Sequence, residues 1–208
     1  MFKCLVNYNF TPDPKWIGDD YLIYDRSDDG TDHLTEFDPT KIIKTENLGQ
    51  VDYDKLSYLI DNYDNLPEVF LWGKTNLFKY ITPEEYELVK DNKTFTPLLT
   101  RNHEEREDQY GYICYYGSGI YHERNDNWFF NMFSSKHAHT FNEWANLLFL
   151  PHDLPFIPFA PGGNYILTRE VVHKYSRDFY VKIASMLPYC QLPVEAQCAE
   201  RSYYLLWK

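Results

Sequence analysis

Over residues 1–100 the chain alternates short apolar runs with polar turns and stretches of helical spacing. FKCLVNYNF, Phe2 to Phe10, predicts a buried first strand, and the Pro-rich loop TPDPKWIGDD leads to a second, YLIYD, ending at Asp25. KIIKTENLG predicts a short strand and turn. In VDYDKLSYLIDNYDNL the apolar residues Leu56, Leu59, Ile60 and Tyr63 fall on one helical face, and Leu66-Pro67 stops that helix. EVFLWG reads as a buried strand. TPEEYELVKDN reads as a helix with Thr82 at the cap, Pro83 in its first turn and Glu85 closing a capping box. Strand alternating with helix is the mark of a parallel or mostly parallel sheet.

Beyond residue 100 the pattern is less regular. RNHEEREDQY predicts a charged, exposed segment, GYICYYGSG a strand with a Gly-rich turn, and NDNWFFNMFSSKHAH mixes aromatic with polar residues. FNEWANLLFL reads as a short helix and PHDLPFIPFAPGG as a Pro-rich loop. NYILTREVVHKYSRDFYVKIASML runs from a strand into a helix capped by Thr168, and PVEAQCAERSYYLLW closes the chain as an amphipathic helix. No repeat or low-complexity linker divides the sequence, so one domain is expected over residues 1–208.

Composition narrows the function classes. A chain of 208 residues with 44% hydrophobic and 25% charged positions suits one globular α/β domain. The aromatic fraction of 18%, with 19 Tyr and 5 Trp, supplies flat faces with polar tips, suited to sugars and bases or simply to a Tyr-rich core. A net charge of −11 argues against a duplex nucleic acid partner, while a small phosphorylated ligand stays compatible. Cys4, Cys114, Cys190 and Cys198 form no CxxC pair, which points to reduced thiols and a cytoplasmic location. No run approaches the ~18 apolar residues of a membrane span.

The stretch YLIYDRSDDGTD frames the chemistry: an apolar run ending in a polar, Asp-rich turn. Such a turn is explained by Asp, Ser and Gly conformational preferences, or it is a strand end that delivers Asp25 to a ligand. In α/β folds ligands sit outside the carboxyl ends of the strands. By position there, Tyr8 and Asn9 at the end of the first strand, Asp25 at the end of the second with Arg26 and Ser27 following it, and Lys74, Thr75 and Asn76 after EVFLWG are candidates. Gly162 and Gly163 allow close backbone approach, or make a plain turn. Glu195 and Glu200 are candidate acids on the last helix. His137 and His139 would share one side of a strand, without an identified third ligand.

The run NLGQVDYDKLSYLIDNYDNLPEVFLWG, with APGGNYILTREVVHKYSRDFYVKIASML and EAQCAERSYYLLW, resembles a small GT-A-type glycosyltransferase family. The architecture this resemblance implies is similar to that of the N-terminal glycosyltransferase domain of chlorella-virus enzymes that glycosylate the major capsid protein. The resemblance covers most of the chain and is poorest in the middle third. It implies a GT-A-like, Rossmann-related domain with a nucleotide half over about 1–100 and an acceptor half over about 101–208. It also implies transfer of a hexose or deoxyhexose from a nucleotide sugar, with a UDP-sugar as the expected donor. The acceptor is then a glycan or glycoprotein, retaining chemistry is preferred, and the setting is viral or host-cytoplasmic. On this reading Tyr8, Asn9, Asp25, Arg26, Ser27, Lys74, Thr75, Asn76, Gly162 and Gly163 bind the nucleotide sugar. Lys74 and Glu195 serve catalysis, and Trp128 and His139 contact the acceptor. A divalent metal, Mn2+ first, is the expected cofactor, although Gly73-Lys74-Thr75-Asn76 replaces the usual Asp-x-Asp and leaves its ligands unassigned. Further domains of a longer polypeptide are possible partners. The alternative is a non-catalytic carbohydrate- or nucleotide-sugar-binding module, which the missing Asp-x-Asp favours.

Overall fold

A computed structural model describes residues 1–28, 33–100 and 120–208, and the backbone of 113–114. In chain order the elements are β1 (Phe2–Asn7), α1 (Pro14–Ile17), β2 (Tyr21–Asp25), β3 (Ile42–Lys44), α2 (Gln50–Asp61), β4 (Val69–Lys74), α3 (Pro83–Val89) and β5 (Thr96–Pro97). The second half continues with β6 (Ile113–Cys114), β7 (Tyr121–Arg124), α4 (Phe141–Leu147), β8 (Phe156–Phe159), β9 (Tyr165–Thr168), α5 (Arg169–Val172), α6 (Arg177–Ser185) and α7 (Val194–Trp207).

Six strands form the central sheet in the order β3-β2-β1-β4-β9-β5. Neighbours from β3 to β4 run parallel, whereas β9 lies antiparallel to both β4 and β5. The domain is therefore α/β with a mostly parallel sheet, compatible with a Rossmann-like fold. Alternation along β1 feeds both faces: Cys4 and Val6 join the core beneath α2, α6 and α7, and Leu5 the core beneath α1 and α3. That two-sided burial is why FKCLVN and VFLWG read as continuous apolar runs. Trp72, Tyr203, Trp207 and Tyr165 interlock on the first face, with Tyr203 and Trp207 stacked at 5.1 Å.

Several expectations hold locally. Thr82 caps α3 by accepting from Glu85 N (3.2 Å), and Thr168 caps α5 by accepting from Val171 N (3.1 Å). Others change. PHDLPFIPFAPGG is not all loop: Phe156–Phe159 pairs antiparallel with β7 at the edge of a second sheet, ordered β6-β7-β8. An edge strand tolerates Pro158 because its missing N–H can face outward. The segment after Thr168 is two helices rather than one, because the Ser176 hydroxyl accepts from Phe179 N (3.3 Å) and starts α6 afresh. His137 and His139 lie in a loop, not on a strand, so period-two alternation does not apply to them. RNHEEREDQY and most of GYICYYGSG lie outside the described residues, as do Asp29 and Asp32 of the Asp-rich turn. Among the described residues no helix is long and apolar enough to cross a membrane.

Candidate functional site

From β1 the chain steps outward through β2 to β3, then returns through α2 to place β4 on the other side of β1. The strand order therefore reverses between β1 and β4, and the carboxyl ends at such a switch point form a crevice where ligands bind in α/β folds. The last residues of β1, β2, β3 and β4 meet there. Asp25 Oδ1 accepts from the Ser27 hydroxyl (2.7 Å), Ser27 N (3.2 Å) and Asn7 Nδ2 (3.3 Å). Its Oδ2 accepts from Lys44 Nζ (3.0 Å), which also donates to Ser27 O (2.6 Å). Asn7 in turn accepts from the Thr75 hydroxyl (2.6 Å), and Asn9 N donates to Ser27 Oγ (2.9 Å). Burial raises the Asp25 carboxyl, but the bonds from Ser27, Lys44 and Asn7 outweigh it and hold the group below its ordinary value.

At the outer rim the Tyr8 hydroxyl donates to Asp28 Oδ2 (2.8 Å) and Asn47 Nδ2 to Asp28 Oδ1 (3.0 Å). The Tyr8 side chain stays 45% exposed, presenting an aromatic face beside Asp25. Asn9 holds a left-handed backbone (φ 46°), a conformation Asn tolerates.

Arg26 does not join this rim. Its guanidinium is buried and turns under the sheet, donating to Leu48 O (2.6 Å) and lying 3.4 Å from Asp54 Oδ2. Strand alternation, which sends neighbours to opposite faces, is the reason.

Lys74 ends β4. Its backbone N donates to Asn164 Oδ1 (2.8 Å), and Nζ donates to the Tyr80 hydroxyl (3.3 Å). Burial works against its ammonium, yet Glu200, Tyr80 and Asp52 outweigh it and raise its pKa. The turn Gly162–Asn164 beside it is pinned from below: Lys55 Nζ donates to Gly163 O (2.7 Å) and Gly162 O (3.1 Å), while Glu200 Oε1 accepts from Gly162 N (2.9 Å). A Cβ on Gly162 would meet the Tyr80 ring at 2.6 Å, and one on Gly163 the Lys55 ammonium at 3.0 Å. Both glycines also have positive φ, 84° and 61°. The close approach that requires glycine here is thus made by the protein's own side chains.

Beneath that turn lies a cluster that sequence reasoning passed over. Asp52, Asp54, Lys55 and Arg26 are all buried. Burial pushes the Asp54 carboxyl up to about 6 against the pull of Arg26, and lifts Asp52 likewise. The same burial draws Lys55 down to about 8, against Asp52. The Tyr203 hydroxyl meets the Asp52 carboxylate and pulls its pKa down against burial, and Asn164 Nδ2 has no hydrogen-bond partner among the described residues. The signal was present: Asp52 and Lys55 stand three apart on the same stripe as Leu56 and Leu59, where charge is unusual.

Glu195 is enclosed. Its oxygens accept from Lys136 N (2.9 Å), His137 N (2.6 Å) and the Tyr189 hydroxyl, so it staples the 134–137 loop to the start of α7. These bonds give Glu195 a structural role at the junction of that loop with α7. Trp128 donates from Nε1 to Glu123 (2.8 Å), and His139 N donates to Glu143 (2.8 Å). Neither makes these bonds with the strand-end network.

Comparison of the chain with protein-family models, with curated proteins and with solved structures gave no match in any of the three.

Proposed function

We propose that the protein is a glycosyltransferase moving a hexose or deoxyhexose from a nucleotide sugar, a UDP-sugar first among donors, to a glycan or glycoprotein acceptor. The observation that carries this reading is the convergence of Asn7, Asp25, Ser27, Lys44 and Thr75 at the switch point, beside an exposed Tyr8 ring and a protonated Lys74. Tyr8 stacks on the base, and Asp25, depressed and therefore ionised at neutral pH, accepts from ribose or base. Lys74 sits where the leaving diphosphate develops charge, which a fixed ammonium in a partly dry site stabilises.

At the end of β4, Lys74-Thr75-Asn76 offers no carboxylate to a divalent metal. Charge neutralisation is assigned first to Lys74, and a divalent ion, Mn2+ first, would take most of its oxygen ligands from the diphosphate itself. With Glu195 enclosed, retaining chemistry, which needs no separate base for the acceptor, is the preferred stereochemistry. The enclosure of Glu195 also favours the second reading, a nucleotide-sugar-binding module without turnover; measured donor hydrolysis separates the two.

The test is calorimetric titration with UDP-glucose, GDP-mannose and UDP, each with and without manganese. One nucleotide family should bind, and Asp25→Ala should weaken it by at least about tenfold, ~1.4 kcal/mol. Absence of nucleotide binding under every condition would remove the transferase reading.

A further inference from the structure

A cavity of about 250 Å³ adjoins the strand-end network on the α1 side of the sheet. Phe10, Trp16 and Phe78 wall it, Asp13, Asn76 and Lys79 supply polar groups, and Thr75 joins it to the end of β4. The other described cavities lie elsewhere. Two are lined by Glu68 and Val69 at the amino end of β4, and one by Tyr53, Ser57 and Val181 between α2 and α6. This cavity lies at the carboxyl edge, where α/β folds take ligands.

We infer that this pocket binds one pyranose ring of the sugar acceptor, an inference that rests on the transferase reading. Size comes first: about 250 Å³, below the ~300–1,000 Å³ typical of ligand pockets, is room for a single sugar ring. Ring geometry comes second. Trp16 and Phe78 stand 5.5 Å apart at 58°, and both lean on Tyr86 edge-on, at 84° and 72°. The rings brace one another at inclined angles rather than as a parallel slot, which makes an apolar wall suited to the C–H side of a sugar. Chemistry comes third. Asp13 spends one oxygen on Lys15 N (2.9 Å) and keeps its other for a hydroxyl, and Lys79 rides 5.6 Å over Phe10 with donors to spare. A hydroxyl-rich ring with one apolar face matches this set of groups. Thr75 is shared with the Asn7–Asp25 network, which brings the ring next to the residue that follows Lys74.

The experiment is saturation-transfer NMR on the full chain with methyl α-glucopyranoside, methyl β-galactopyranoside and methyl α-fucopyranoside, with uridine as competitor and UDP titrated separately. At least one glycoside should receive saturation, and Phe78→Leu, which keeps bulk and removes the ring, should cut it severalfold while leaving the UDP dissociation constant within about twofold. Phe78 is 38% exposed, so Phe78→Leu should fold, and a thermal melt checks this. Saturation of no glycoside, displacement of the glycoside by uridine alone, or equal saturation in Phe78→Leu each overturns the pocket assignment. Glycoside binding that depends on Phe78 in a protein that binds no nucleotide would leave the pocket standing and remove the transferase.

Discussion

Glu123 with Arg201, and Asp52 and Asp54 with Arg26 and Lys55, are two groups of charges withdrawn from water that are finished to different degrees. In the first, Arg201 engages Glu123 through both Nε and Nη2, the latter at 2.7 Å, and Nη1 donates to Gln197 O and Oε1, both 3.1 Å. Trp128 Nε1 supplies Glu123 with a further bond, and the guanidinium lies 4.3 Å from the Phe129 ring centre and 4.7 Å from that of Phe159. In the second the pairing is looser: Asp52 is met only by the Tyr203 hydroxyl and Asp54 by Thr45 and Arg26, while Arg26 Nε and Asn164 Nδ2 have no hydrogen-bond partner among the described residues. Buried polar groups are paired as a rule, and proteins break such rules mainly at functional sites. The closed pair ties α7 to the second sheet. The open cluster underlies the turn that touches Lys74.

The comparison is broken most forcefully at the closed pair. Arg201→Met strands a buried carboxylate and should cost about 3–5 kcal/mol in chemical denaturation, with most of it recovered when Glu123→Leu is added. A loss below about 1 kcal/mol would mean that the pair behaves like a surface contact and that closure is not its role.

Lys55→Met should have the next largest effect, about 1–3 kcal/mol, because the carbonyls of Gly162 and Gly163 lose a buried donor. It should also weaken UDP binding, since the freed turn no longer fixes Asn164 against the backbone of Lys74. Stability lost with UDP affinity intact would disconnect the cluster from the site.

These contrasts show which parts of the molecule could be read from its sequence. β1, β2, β4, the Thr82 cap and the strand-end position of Asp25 follow from local pattern, because alternation and capping are properties of neighbours in the chain. The inward turn of Arg26 was implicit in the same alternation. The antiparallel run of β9 is not local, nor are the strand through Pro158 and the capture of Glu195 by the 134–137 loop: each is decided by a partner distant in sequence. Asp52 and Lys55 are intermediate. Their place on the apolar stripe of α2 marks them as buried, but only the fold brings Glu200 and the Gly162–Asn164 turn to them.

The pH dependence of stability sharpens the comparison further. Asp54, raised to about 6 from 3.8, binds its proton more tightly folded than unfolded, and Asp52 does the same. Stability should therefore fall as pH rises between about 4 and about 6. Lys55, lowered from 10.5 to about 8, has the opposite linkage, so stability should climb again between those values. Asp25, held below its ordinary value, adds stability that disappears only as pH falls through its folded pKa. Melting temperatures across this range test the signs, and a rise from pH 4 to 6 would show that the carboxylates in the open cluster are better partnered than their geometry indicates.

Asp52→Asn has the smallest expected effect and separates the two clusters most directly. The carboxylate has only the Tyr203 hydroxyl as a loose partner, which an amide oxygen can also accept from, so removing its charge trades the attraction of Lys55 against the relief of a desolvation penalty. Those terms oppose each other, and the net change at pH 7 should stay within about 1 kcal/mol. The fall in stability between pH 4 and 6 should become shallower without vanishing, because Asp54 keeps its own raised pKa beside Arg26. A loss matching that of Arg201→Met would mean that Asp52 is as fully held as Glu123 and that both clusters serve only the fold. A neutral Asp52→Asn with altered UDP affinity would instead place this loosely held carboxylate in the service of Lys74, whose ammonium it helps to keep charged.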